Sequence, residues 1–210
     1  MSDTRRYRGQ VGPVDHFDLA AATTFSLLAH LGLREYHSLL DVGCGCLRVG
    51  RLLIPYLEAG NYCGIEPNQR LIEAGIECEI GRELVTMKSP RFDTGSAFDL
   101  GVFGQAFDYI LLHSIWVHAS EQQVLRCLEG AKAHLKPDGM LIASYVPGRK
   151  DTASAEWNPG GIRYRPETLI KMAAGCGLYL QRIQWPHPGV QKWVVVTHVP
   201  CRLIALVEGK

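Results

Sequence analysis

Apolar and polar positions change period several times along the chain, and each change marks an element. From Val14 to Leu33, Phe17, Ala20, Ala21, Phe25, Leu28 and Leu31 fall on one helical face, with Asp15 as the expected N-cap and Gly32 at the end. The apolar run from Ser38 to Val42 predicts a buried strand that breaks at two glycines one residue apart, Gly43 and Gly45. Val49, Leu52, Leu53, Tyr56 and Leu57 then return to helical spacing. Tyr62 to Ile65 reads as a second short strand, and Gln69 to Ile80 as a helix. Arg82 to Phe98 carries the weakest pattern, with Leu84, Val85 and Met87 read as a short strand or turn.

Phe107 to Leu112 is nearly continuous in β-forming apolar residues, as a central strand buried on both faces should be. A helix from Glu121 to Leu135, a turn at Lys136-Pro137-Asp138-Gly139 and a strand from Met140 to Val146 are predicted next. Pro147 to Arg165 reads as a long loop, Pro166 to Cys176 as a helix, and Tyr179 to Gln184 and Trp193 to Val199 as strands. The connection Trp185-Pro186-His187-Pro188-Gly189 is too short for a crossover helix, so the last two strands should be antiparallel neighbours. Strand and helix alternating in this way predict a parallel α/β sheet.

Composition changes the picture little. With 210 residues, 47% hydrophobic and 20% charged, the chain is expected to form one domain over residues 1–210, in which 1–36 is a basic tail and helix. Asp15, His16 and Phe17 are a candidate lid over the substrate, and Arg5, Arg6 and Arg8 read as a solvated tail. A net charge of +1 gives no field that would draw the molecule to nucleic acid or an anionic membrane. No apolar run approaches the roughly 18 residues of a membrane span. The seven cysteines are odd in number and scattered, without metal spacings, which points to a reducing, cytoplasmic compartment. His30 and His37 read as surface or turn residues.

The candidate chemistry begins at the glycine turn. Strand, turn and helix form a cradle for a nucleoside cofactor, because backbone amides at the helix start point into the turn where a ligand approaches closely. Glu66 ends the second strand roughly 20 residues further on, where a carboxylate can accept from both ribose hydroxyls.

Four stretches taken in order, Leu-Leu-Asp-Val-Gly-Cys-Gly, Gly-Ile-Glu-Pro-Asn, Phe-Asp-Tyr-Ile and Leu-Lys-Pro-Asp-Gly-Met-Leu, resemble the class I S-adenosylmethionine-dependent methyltransferases of small-molecule type. The resemblance covers roughly residues 37–199. It implies a doubly wound, mostly parallel, seven-stranded Rossmann-like sheet with an antiparallel last strand and helices on both faces. It also implies S-adenosylmethionine as cofactor, with Asp41, Gly43, Cys44 and Gly45 facing the methionine part, Glu66 and Pro67 at the ribose, and Ser96 and Ala97 at the adenine. Asp99 is a second candidate there, and Phe98 can stack. Arg48 is read as a partner of the cofactor carboxylate or of a structural salt bridge, and His113 as a further cofactor contact.

Methyl transfer to a hydroxyl needs a base, and His118, His113 and His187 are the candidates; a histidine near its ordinary pKa of about 6.5 accepts a proton at neutral pH. His16, Trp116, Tyr145, Trp157 and Tyr164, with Trp185, are the candidate walls for a small-molecule acceptor. Acids following the strands are too few for a divalent-metal site, and no Asn-Pro-Pro-Tyr follows the Phe107 strand. Two other readings compete. A nicotinamide-dependent oxidoreductase would use a similar cradle, but Arg48 stands where its last glycine belongs. A non-catalytic partner subunit with a degenerate cofactor site would account for Leu47 and Ser96.

Overall fold

The computed structural model describes residues 3–200. It falls into two compact units, Met1–Ser96 and Ala97–Lys210.

In the first unit the apolar runs become β1 (Leu39–Val42) and β2 (Tyr62–Ile65), parallel and in register with Leu39 opposite Tyr62 and Val42 opposite Ile65. Every residue of both strands is buried, which is why neither alternates. A three-residue strand, β3 (Arg91–Asp93), runs parallel to β2 on its other side. The helices are α1 (Asp3–Arg8), α2 (Phe17–His30), α3 (Gly50–Tyr56), α4 (Gln69–Gly75) and α5 (Arg82–Lys88).

Three expectations change here. Asp15 does not cap α2: a 3₁₀ turn at Val14–His16 precedes the helix, and His16 holds the N-cap position with no side-chain bond. The helix from Gln69 keeps α geometry only to Gly75 and widens into a π turn over Ile76–Ile80. The segment read as strand or turn is α5, opened by Gly81 at φ 81° and ended by Ser89 at φ 48°. Three apolar residues in so short a span fit either period, and Met87 is exposed.

The basic tail is also corrected. Tyr7 is buried with Phe17, Cys46 and Leu71, while Arg8 lies 4.3 Å above the Phe17 ring and binds Glu79 through Nε. Phe17 is therefore core rather than lid, at 1% exposure. Arg6 is exposed, and the side chain of Arg5 lies outside the described residues.

The second unit contains β4 (Phe107–Leu112), α6 (Glu121–His134), β5 (Leu135–Pro147), β6 (Arg163–Tyr164), α7 (Pro166–Gly175), β7 (Tyr179–Ile183) and β8 (Lys192–Thr197). β4 and β5 are parallel, β8 is antiparallel to β5 on its other side, and β7 is antiparallel to β8, as the short connection predicted. Ser120 starts α6 with a reciprocal capping box to Gln123. Lys136 to Gly139 is not a turn: β5 already begins at Leu135, and the register with β4 shifts between Phe107 and Tyr109 to absorb the extra residues. A Cβ on Gly139 would lie 2.9 Å from the Phe107 carbonyl, so glycine permits this close passage. The long loop is interrupted by β6, which pairs with the end of β5. Among the described residues, no helix is long and apolar enough to cross a membrane.

Candidate active site

In the first unit the chain leaves β1 through three left-handed residues, Gly43 (φ 74°), Gly45 (φ 55°) and Leu47 (φ 60°). Glycine adopts this conformation without penalty, whereas Leu47 bears about 1–2 kcal/mol, offset by complete burial of its side chain. The amides of Gly43 and Cys44 donate to the Ile65 carbonyl at 2.7 and 3.1 Å, fixing the turn against β2. Glu66 completes the junction, accepting from the Gly45 amide at 3.1 Å and the Asn68 amide at 2.9 Å.

Asp41 lies beneath this turn, 3% exposed, and accepts from the Tyr62 hydroxyl at 2.8 Å. Burial raises its carboxyl to about 6, against the opposing effects of the Tyr62 bond and Arg48. Glu66 is raised by burial, with the two amides pulling the other way. Burial also pushes the Cys44 thiol well up, so Cys44 contributes its backbone and no thiolate. Pro67 opens onto a groove of about 910 Å³ that is also lined by Arg6, Gln10 and Arg70.

The N-terminal segment lies over the turn. A Cβ on Gly45 would come 2.6 Å from Val11 Cγ1, and Arg48 donates through Nη1 to the Val11 carbonyl at 2.6 Å. Arg48 is thus engaged with this arm. The arm is fastened at Glu79, whose side chain is 3% exposed and accepts from the Tyr7 hydroxyl at 2.7 Å and from Arg8 Nε and Nη2 at 2.7 and 2.9 Å. Tyr7, Val11 and Glu79 were not expected at the site; Glu79 is far from the other two in sequence, and none belongs to a motif. His16 is half-buried at the end of the arm and Asp15 is exposed. Ser96 is exposed where this unit ends, beyond an Asp93 carboxylate that accepts from the Gly95 amide at 2.7 Å.

In the second unit the three histidines occupy two clusters. His113, at the end of β4, and His187, in the loop before β8, bring their Nε2 atoms to 3.3 Å beside Trp193. The Gly189 amide donates to His187 Nδ1 at 2.9 Å, so the neutral His187 ring carries its proton on Nε2 and donates to His113 Nε2. Two imidazole nitrogens bound to one tetrahedral ion at about 2.0–2.1 Å would also stand roughly 3.3 Å apart. A metal-bound His187 would need a proton on Nδ1, however, and Nδ1 faces a donor.

His118 has the opposite tautomer. Its Nδ1 lies 2.9 Å from the Asn158 carbonyl, so it carries the proton there and leaves the Nε2 lone pair available. The Asn158 amide returns a bond to the His118 carbonyl at 2.8 Å, and the Ile162 amide donates to Val117, clamping the loop onto this segment. Trp157, 41% exposed, stands 5.1 Å from the His118 ring and 6.4 Å from Phe98. Three other expected wall residues pack as core: Trp116 and Tyr145 are completely buried, and Tyr164 is buried with its hydroxyl on the Ala119 carbonyl, while Trp185 is half-buried. Ala97 is exposed where this unit begins, and Asp99 is held by the Gly101 amide.

Residues 40–141 match a family described as a methyltransferase domain. Among solved structures, magnesium protoporphyrin IX methyltransferase from Synechocystis PCC 6803 with bound SAM is 15% identical, with a TM-score of 0.66 over 94% of this chain and 92% of that one. A putative O-methyltransferase from Nostoc punctiforme PCC 73102 is 19% identical, with a TM-score of 0.63 over 85% of this chain and 56% of that one. The glycopeptide N-methyltransferase MtfA complexed with S-adenosyl-L-methionine is 10% identical, with a TM-score of 0.64 over 84% and 93%. At such identities the likeness is one of fold. No curated protein matches the sequence. Residues 40–141 thus resemble a methyltransferase domain, and the Rossmann-like fold is shared with S-adenosylmethionine-dependent methyltransferases.

Proposed function

We propose that this methyltransferase moves a methyl group from S-adenosylmethionine to an oxygen or nitrogen of a small molecule, with His118 as the base. The observation that carries the donor half is the pair of carboxyls on the glycine turn, Asp41 buried and Glu66 half-buried. Asp41 is desolvated without a full counter-charge, the state that a cationic methionine group would ionise. Glu66 uses one lone pair of each oxygen on an amide and retains the others for ribose hydroxyls, with Pro67 beside it. Gly43, Cys44 and Gly45 supply close backbone approach, and Ser96 with the Ala97 amide meets the adenine.

When bound, the cofactor supplies an already activated methyl group, so the protein's work is alignment, exclusion of water and removal of the acceptor proton. Alignment alone is worth roughly 7–11 kcal/mol of barrier. His118 Nε2 takes the proton of an acceptor hydroxyl, and Nδ1–H keeps its bond to the Asn158 carbonyl in both charge states. Trp157 and Phe98 offer aromatic faces to the acceptor. The protoporphyrin and glycopeptide methyltransferases among the similar structures, and the near-neutral net charge, support a small-molecule acceptor over nucleic acid. All six described cysteines are free, in keeping with a reducing, cytoplasmic compartment.

The test is His118→Gln with isotopically labelled S-adenosylmethionine and a panel of phenols and amines. We expect transfer to a phenol to fall ~10²–10⁴-fold while affinity for S-adenosylhomocysteine is retained. Unchanged transfer would remove His118 from this role.

A further inference from the structure

A closed ring of polar groups at the carboxyl end of β4 has no part in the chemistry derived above. The Ser114 amide donates to Ser144 Oγ at 2.7 Å. Ser144 is completely buried on β5 and donates its own hydroxyl proton to Gln191 Oε1 at 2.6 Å. That bond fixes the orientation of the Gln191 amide, whose Nε2 then donates to Ser114 Oγ at 2.9 Å. The residue held in this way is a left-handed serine, with φ 63°, a conformation that an L side chain keeps only when its surroundings impose it. Ser114 directly follows His113, and Gln191 closes the loop that carries His187.

We propose that Gln191 is a positioning residue: bonded to Ser114 and Ser144, it holds the turn after β4 in its left-handed form and so sets His113 against His187. A carboxamide suits this place because one end accepts from the Ser144 hydroxyl while the other donates to the Ser114 hydroxyl. An aliphatic side chain of the same length does neither. His187 is aligned from its other side by the Gly189 amide, so the His113–His187 contact is fixed by two loops that Gln191 joins. The proposal rests on the methyl-transfer reading for its purpose, since the carboxyl ends of strands are where open α/β sheets bind ligands. Its test does not depend on that reading.

The experiment is nitrogen NMR of the full chain carrying ¹⁵N-labelled histidine, with the two rings assigned through His113→Gln and His187→Gln. The wild type should show His187 protonated at Nε2 and bare at Nδ1, and His113 bare at Nε2. In Gln191→Leu both rings should lose this single-tautomer pattern and give averaged shifts. Gln191→Glu keeps an acceptor for both hydroxyls and should restore the pattern. Ser114→Gly, which needs no help to be left-handed, should restore it in the Gln191→Leu background. S-adenosylhomocysteine titration of the Gln191 and Ser114 variants, with affinity within about twofold of wild type, reports that the first unit is intact. Unchanged imidazole shifts in a folded Gln191→Leu protein overturn the proposal, as does failure of Ser114→Gly to rescue. If Gln191→Leu does not fold, Gln191→Asn carries the same expectation, because its shorter side chain cannot reach both serines. A wild type that shows the paired tautomers but binds no S-adenosylhomocysteine overturns the methyl-transfer reading and leaves this one standing.

Discussion

Asp41 ionises near pH 6 because burial penalises its charge more than Tyr62 and Arg48 favour it. The folded value lies above the ordinary 3.8, so between the two the folded chain binds more protons than the unfolded one. This contribution to stability therefore falls as pH rises from about 4 through about 6, by about 3 kcal/mol in all. Asp41→Asn should remove that slope in urea-unfolding series taken across this range. A cationic ligand favours the ionised form, so its binding should tighten over the same interval. Gly45 has a separate constraint, a left-handed backbone with Val11 against it. Gly45→Ala should displace Val11 or distort the turn, and weaken S-adenosylhomocysteine binding at least about tenfold, roughly 1.4 kcal/mol by calorimetry.

Among the elements, the N-terminal arm is fastened largely through one side chain. Glu79 gathers Tyr7 and Arg8, and burial together with the Glu79 bond lifts the Tyr7 phenol to about 12. Glu79→Ala should cost about 2–3 kcal/mol in urea unfolding, the scale of hydrogen bonds to a charged group. It should also open the arm to trypsin at Arg8 while α6 and its neighbours stay resistant. The arm shows where sequence reading stops. β1, β2 and β4 were legible because buried parallel strands are continuous apolar runs, and β2 and β4 occupy the predicted spans. α5 was not, because three apolar residues in a short span fit either period. The bulge at Lys136–Gly139 has the composition of a turn and is recognisable only from its register against β4. Arg8 looked like a solvated tail because Glu79, which binds it, is distant in sequence. The cradle residues were readable because they are consecutive; Ser144 and Gln191 were not, because only folding assembles their ring.

For the whole molecule, the domain match and the shared fold support the methyl-transfer reading, and the buried Asp41 and half-buried Glu66 at the glycine turn are the features that bear on its donor. A nicotinamide cofactor would call for a third glycine in the turn; Leu47 and Arg48 stand there instead, the one buried and the other bonded to the arm. The most direct measurement is calorimetric titration of the full chain with S-adenosylhomocysteine and, separately, with NAD. The expected result is S-adenosylhomocysteine binding well below about 1 mM at pH 8, about fourfold weaker at pH 5.5, with that pH dependence abolished in Asp41→Asn and no binding of NAD. Absence of S-adenosylhomocysteine binding up to about 1 mM, or equal binding of NAD, would contradict it.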